Sequence, residues 1–358
     1  MRNQLRALCT LSVLSMISAL GCAANTNTDE GGETTATTDA TSEALSVYQW
    51  APDSVANSSH SWTDASIATA TFSGNEYTFM VHTGDNAYDH SIYWAYSTNG
   101  IAWNSDNQIP AMYSNSQPQL AAFNGHLYML HTGDNDRAVW MSRFNPTTWS
   151  WDHDFLLPYQ SWASPSIASY NGSLYIIGTT YPTGQVWQAT MSTAEVFTPQ
   201  ADLPGITTSA ASPSLAAHCP PGPSGICFSP VLYMAYVHSG QLTMSGLPTS
   251  FRGGAASWWT PWVVANVDGS LKGASKQPAI ASYGGMLHIV RKGSTDDRIM
   301  WTYYDGSNWS TDVSIGAEHM WGSASLAPRS NRLVMVHSSS DKDHSIDGGN
   351  SVYGQYFQ

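Results

Sequence analysis

The sequence predicts an all-β protein, a six-bladed β-propeller of four-stranded antiparallel blades closed by an N-terminal strand, with seven blades as the alternative. Three observations predict it. A unit of about 47 residues recurs along the chain. Each unit reads as four short segments of alternating hydrophobicity rich in β-branched and aromatic residues, the pattern of strands rather than helices. Charged residues make up only 11% of the 358, too few Glu, Lys and Arg to surface long helices.

Two segments precede the repeats. Residues 1–21 have the form of an export signal: Arg2 and Arg6, an apolar run from Leu8 to Leu20, then small residues. Ala19-Leu20-Gly21-Cys22 resembles the lipobox of bacterial lipoproteins, which implies that Cys22 carries lipid. The expected location is therefore the bacterial outer membrane or cell surface, reached through a lipid anchor only, with plain secretion as the alternative. Residues 22–44, with NTNTDEGGETTATTDATSEA and no aromatic, hold too little apolar surface to offset ordering entropy and read as a disordered tether.

The propeller is expected over residues 45–358. The segments QPQLAAFNGHLYMLHTG from Gln117, SPSIASYNGSLYIIG from Ser164 and QPAIASYGGMLHIVRKG from Gln277 share one plan. Each has a small-residue strand, an aromatic, a Gly-containing turn and a second alternating strand. The leading position recurs at Ala65, Pro118, Pro165, Pro213, Pro278 and Ala324, with spacings of 53, 47, 48, 65 and 46. The long fourth interval holds two insertions. One contains Cys219 and Cys227, which outside the cytosol read as a disulfide closing a small loop. The other lies around SFRGGAASWWTPW.

In the fifth unit the strands are expected at Ala279–Tyr283, Met286–Arg291, Arg298–Tyr304 and about Trp309–Ile315. A Gly284-Gly285 hairpin turn joins the first two. Four antiparallel strands repeated at this period are the signature of propeller blades. SVYGQYFQ at 351–358 matches a third strand. The missing fourth is expected from Leu45–Trp50, whose pairing would remove an open sheet edge.

Pro-x-Ile-Ala-Ser-Tyr, the Arg-x-Gly that ends strand two, the Ile-x-Trp of strand three and the Asp-Gly-x-x-Trp turn resemble repeats of Photorhabdus-type bacterial propeller lectins and, more loosely, tectonins. The resemblance implies carbohydrate binding at repeated sites on one face.

Two columns of the repeat suit that chemistry. At the end of strand two stand His82, His131, Gly178, Tyr236, Arg291 and His337, followed by acids that include Asp85 and Asp134. Just ahead of strand one stand Trp62, Tyr113, Trp162 and Trp321. In a four-strand meander the two-to-three and four-to-one connections emerge on the same face, so both columns are expected on one rim. There, aromatic faces would stack on sugar rings while His, Arg and Asp hydrogen-bond the hydroxyls. Trp140, Trp187 and Trp301 of strand three are expected in the core.

No catalytic residue, metal ligand or cofactor is assigned, calcium through Asp85 and Asp134 being the lesser option. Ser97–Trp103 resembles a sialidase Asp box but has one residue too few before its Gly. With no asymmetric carboxylate cluster evident, an enzyme, if present, would be glycoside hydrolase-like. A protein-binding scaffold is the other alternative. The formal charge of −13 argues against nucleic acid, and the propeller is expected to be monomeric.

Overall fold

The computed structural model describes residues 49–52, 54–84, 88–208, 212–220, 227, 229–249, 257–266, 269–339 and 350–357. The segments expected to be a signal peptide (1–21) and a tether (22–44, Cys22 included) lie outside them, as does Asp85. Among the described residues no helix is long and apolar enough to cross a membrane.

After β1 (Ser54–Ser61), the strands β2 (Ser66–Phe72), β3 (Asn75–Thr83), β4 (Ser91–Ser97) and β5 (Asn107–Tyr113) form one antiparallel sheet in chain order. The next contains β6 (Gln119–Phe123), β7 (His126–Thr132), β8 (Ala138–Asn145) and β10 (Phe155–Gln160), with the two-residue β9 (Ser150–Trp151) pairing on β8. A third follows with β11 (Ser166–Tyr170), β12 (Ser173–Thr179), β13 (Gln185–Ser192) and β14 (Ala201–Thr207). A fourth has β15 (Ser214–His218), β16 (Val231–His238), β17 (Gln241–Pro248) and β18 (Trp262–Val263). The remaining strands are β19 (Ala279–Tyr283), β20 (Met286–Lys292), β21 (Arg298–Tyr304), β22 (Val313–Pro328), β23 (Leu333–Ser339) and β24 (Asn350–Phe357). With β1 they make one seven-stranded sheet, in the order β1-β24-β23-β22-β21-β20-β19.

The protein is thus an all-β propeller of four-stranded antiparallel blades. Four blades are separate sheets, where the repeats led to an expectation of six. The difference lies in β22, which runs for 16 residues. Its first part pairs with β21 (Met300↔Ser314, Trp301↔Val313) and its second with β23 (Ala324↔His337 through Pro328↔Leu333). The segment expected to be a loop between two blades is extended chain instead.

A second correction concerns the edge strand. The segment that pairs antiparallel with β24 is β1, not Leu45–Trp50. Of that expected strand, 45–48 lie outside the described residues and Trp50 makes a single bridge to Phe357.

Hairpin turns follow the sequence closely. Asn124-Gly125 and Gly284-Gly285 both have positive φ at their two central residues (50° and 77°, 58° and 77°), the backbone that a two-residue turn between twisted strands demands. Cys219 and Cys227 form the expected disulfide, with Cα atoms 5.5 Å apart. Ser97–Trp103 is a turn motif: Ser97 Oγ accepts from Gly100 N (2.8 Å), and Asn99 Oδ1 accepts from Ile101 N (2.8 Å) and Ala102 N (2.9 Å).

The core sits between neighbouring blades. Phe72, Phe79, Trp94, Leu127 and Phe144 pack the first blade on the second, and Leu130, Met141, Tyr159, Ile176 and Trp187 pack the second on the third. Trp187 and Trp301 are buried, as expected of strand three, and Trp140 is half-buried. The inner strands β2, β6, β11, β15, β19 and β22 each pack on the next, and β22 packs on β2. Short polar side chains also join neighbours: Leu120 N donates to Ser66 Oγ (3.3 Å) and Ile67 N to Ser325 Oγ (3.0 Å).

Candidate functional site

The two columns do meet at one end of the blades, because Trp62 N donates to Gly84 O (2.7 Å) and Trp162 N to Thr179 O (2.8 Å). They lie at different depths, however. Trp62 (50% exposed), Tyr113 (50%), Trp162 (45%) and Trp321 (58%) stand in solvent. His82, His131, Arg291 and His337 are at most 2% exposed and lie beneath the rim, not on it.

The buried column has a structural explanation. His82 Nε2 lies 3.1 Å from Asp106 Oδ2, and His131 Nε2 lies 3.1 Å from Asp154 Oδ2. Arg291 Nη2 pairs with Asp312 Oδ2, which shares its carboxylate with the fully buried Lys272 (Nζ to Oδ1, 3.0 Å). In each case a basic group at the end of the second strand meets an Asp leading into the fourth. The rings of His82 and His337 also stack on cross-strand Tyr93 and Tyr353, with centroids 5.8 and 5.9 Å apart. Buried polar groups persist when hydrogen-bonded, and buried charges such as Lys272 and Arg291 when paired. The third unit departs because a Cβ on Gly178 would fall 2.1 Å from a Trp187 ring atom, so that tryptophan occupies the volume of the missing side chain. Asp134 stays near the surface, its carboxylate engaged by His90 Nδ1 and by Asn135 Nδ2 (3.0 Å). Among the described residues no group of three His, Cys, Asp or Glu is placed to hold a metal ion.

One exposed aromatic is built into a groove. Between the second and third blades, Trp162 stacks on Tyr181 with ring centroids 3.8 Å apart and planes at 13°. The Arg137 guanidinium lies 4.1 Å from the Trp162 ring centre and 4.7 Å from that of Tyr181. A bulge in β10 between Leu156 and Gln160 carries the end of that strand outward, as bulges at sheet rims do. The resulting groove of about 360 Å³ is completed by Gln160, Thr179, Thr180 and Gln200. Sequence reasoning found Trp162 but missed Arg137, Tyr181 and both glutamines, because none repeats from unit to unit. A groove of about 430 Å³ beside Trp50, Trp301 and Val313 has no charged lining residue.

The second feature that the repeats concealed is at the axis. At the start of each inner strand stands Gln117, Ser164, Ser212, Gln277 or Ser323, all buried, and in the first unit the same position is Asp64. These positions lead into a small channel of about 70 Å³ lined by Ser66, Gln119, Ser166, Ser214 and Ser325. Asp64 Oδ1 accepts from Ser338 Oγ (2.9 Å). Burial raises the Asp64 pKa above the ordinary carboxylate value against the opposing pull of Ser323, Ser338 and Lys276. Gly322 permits this placement, since a Cβ there would fall 1.7 Å from Asp64 Oδ1. Asp64 is therefore a singular carboxyl in an otherwise neutral ring.

No protein-family model matches the sequence, nor does any curated protein. Among solved structures, the chain is similar to a Dyadobacter fermentans protein of unknown function (TM-score 0.57, 12% identity, 87% of this chain and 99% of that one). It is also similar to an alpha-L-arabinofuranosidase from Fusarium graminearum complexed with an iminosugar inhibitor (TM-score 0.53, 13% identity, 86% and 96%). A third is the NanB sialidase of Streptococcus pneumoniae (TM-score 0.55, 10% identity, 86% and 69%). At these identities the likeness is one of fold, and it places the chain among propeller architectures.

Proposed function

We propose that the protein is an exported, lipid-anchored propeller that binds glycans on the rim bearing Trp62, Tyr113, Trp162 and Trp321. Counting the seven-stranded sheet as two blades that share β22 gives six, in keeping with the six sequence units. The observation that carries the binding reading is the Trp162–Tyr181 pair. Two large rings stay half in water, flanked by guanidinium, amide and hydroxyl groups, in a groove within the size range of small-ligand sites. A pyranose offers the complement, an apolar ring face for the indole and hydroxyls for the polar groups. The buried His and Arg column supports the rim and does not touch the sugar. The carbohydrate-active enzymes among the structural neighbours agree with this reading at the level of fold.

A glycan array probed with the full chain in mild detergent tests the proposal. Binding of defined sugars that Trp162→Ala removes supports it, and a blank array overturns it. An acyl mass on Cys22 in protein extracted from membranes tests the anchor, and an unmodified Cys22 refutes it.

Asp64 favours a second reading, a glycoside hydrolase-like activity at the axial mouth. A carboxyl whose pKa is raised by burial gives up a proton to a leaving oxygen nearer neutral pH than an ordinary carboxylate would. Turnover of a chromogenic glycoside panel that Asp64→Asn abolishes would establish it.

A further inference from the structure

We infer that the Arg137 groove selects acidic sugars, those bearing a carboxylate or sulfate, over neutral ones. The inference deepens the proposed glycan binding and rests on it. The chain carries 26 acidic against 13 Lys and Arg residues, so acids are at hand for most of its basic groups. Six of the other eight described cations are matched: Arg143 with Asp152 and Glu195, Lys272 and Arg291 with Asp312, Lys292 with Asp297, Arg298 with Asp296, and Arg329 with Glu76, whereas Lys276 makes no ion pair among the described residues and Arg332 lies against Tyr356 (4.6 Å). Arg137 has no carboxylate partner among the described residues. Its guanidinium instead rests against Trp162 and Tyr181, and no residue lining the groove is acidic.

The backbone points the same way. Arg137 has φ of 56°, a left-handed conformation that a side chain of this size adopts only at a cost. Its carbonyl accepts from Ser161 N at 3.0 Å, which ties the loop carrying the guanidinium to the strand end carrying Trp162. The arginine is therefore held in place before any ligand arrives. Held against aromatic rings, a guanidinium keeps its planar fork of N–H donors free for a carboxylate or sulfate oxygen pair. An acidic pyranose would stack on the exposed ring face and present its anion to that fork. A neutral sugar would offer that fork only uncharged hydroxyls, a weaker match.

Isothermal titration of the full chain in detergent tests this, with four probes of one ring size: methyl glucoside, methyl glucuronide, glucose 6-sulfate and methyl sialoside. The expected result is at least tenfold tighter binding of one or more acidic probes than of methyl glucoside, with a preference that shrinks as salt rises. Arg137→Gln should erase the preference, weakening the acidic probe at least tenfold and methyl glucoside by less, since a neutral hydrogen bond contributes less than a charge-assisted one. Arg137→Lys should retain part of it. The uronate, sialate and sulfate arms identify which anion the groove takes. Equal affinity for methyl glucoside and all acidic probes overturns the inference while glycan binding stands. Absence of binding by every probe and by the wider array overturns both.

Discussion

The rim and the layer directly beneath it use the same kinds of residue to opposite ends. On the rim, Arg137 leans on Trp162 and Tyr181 with no acid opposite it among the described residues, and the aromatics stay half exposed. One layer down, His82, His131 and Arg291 are buried against Asp106, Asp154 and Asp312, and Tyr93 stacks on the His82 ring. The difference shows that a basic or aromatic residue in a propeller repeat acquires its role from what stands opposite it. A basic residue that meets the Asp at the head of the fourth strand becomes a support, whereas Arg137, just ahead of β8 in a blade whose Asp154 is taken by His131, meets aromatic rings instead.

The largest effect that would break this comparison comes from the support layer. Asp312→Ala strands Lys272 and Arg291 in the interior, and breaking a buried pair by removing one partner costs about 3–5 kcal/mol. Urea unfolding should show that loss, and a change below about 1 kcal/mol would mean that water reaches the pair and the layer is not a dry support.

Acid offers the next test. Burial lowers both His218 and His288 to about 4, below their usual value of 6.5. Because the unfolded chain binds these protons first, stability is complete above pH 6.5 and falls as pH drops from 6.5 toward 4. The loss is roughly 3 kcal/mol for each histidine at 1.36 kcal/mol per pKa unit. Unfolding midpoints measured across that window should fall steeply in the native protein and less so in His218→Phe. Parallel curves would contradict the assignment.

Gly178→Ala places a methyl group where the Trp187 ring lies and should cost about 1–3 kcal/mol by overpacking. Calorimetry reads this directly, and a neutral outcome would mean that Trp187 repacks freely. The smallest stability effect belongs to the rim. Trp321→Ala removes a side chain that is 58% exposed and should change stability by less than about 1 kcal/mol in the same experiment. A larger loss would move Trp321 from the rim to the support layer.

Much of the fold was legible because each blade repeats its own local signals. The Gly-containing turns, the alternation of strands β19 to β21 and the disulfide loop were all readable residue by residue. The continuity of β22 was not, since one strand was expected to end at about Ile315 and the next unit to lead from Ala324, while tertiary pairing holds the segment between them extended. The candidate site was legible only in part. The aromatic column was found because it repeats, and so was the basic column, but the latter was put on the wrong side of the surface. A signal was present: Asp106, Asp154 and Asp312 follow their basic partners by 24, 23 and 21 residues, and that recurrence marks a buried pair. Arg137, Tyr181 and Asp64 were missed for the opposite reason, because each occurs once and a search for repeats passes over it.

The central claim, that ligands meet the exposed aromatics and not the buried basic column, is tested most directly by comparing two variants in one binding experiment. The affinity of Trp162→Ala and of His131→Gln for a sugar that the native chain binds should diverge. The account predicts at least tenfold weaker binding for Trp162→Ala, about 1.4 kcal/mol, with unchanged stability, while His131→Gln keeps its affinity and unfolds more easily. Weaker binding by a folded His131→Gln, with Trp162→Ala unaffected, would contradict it.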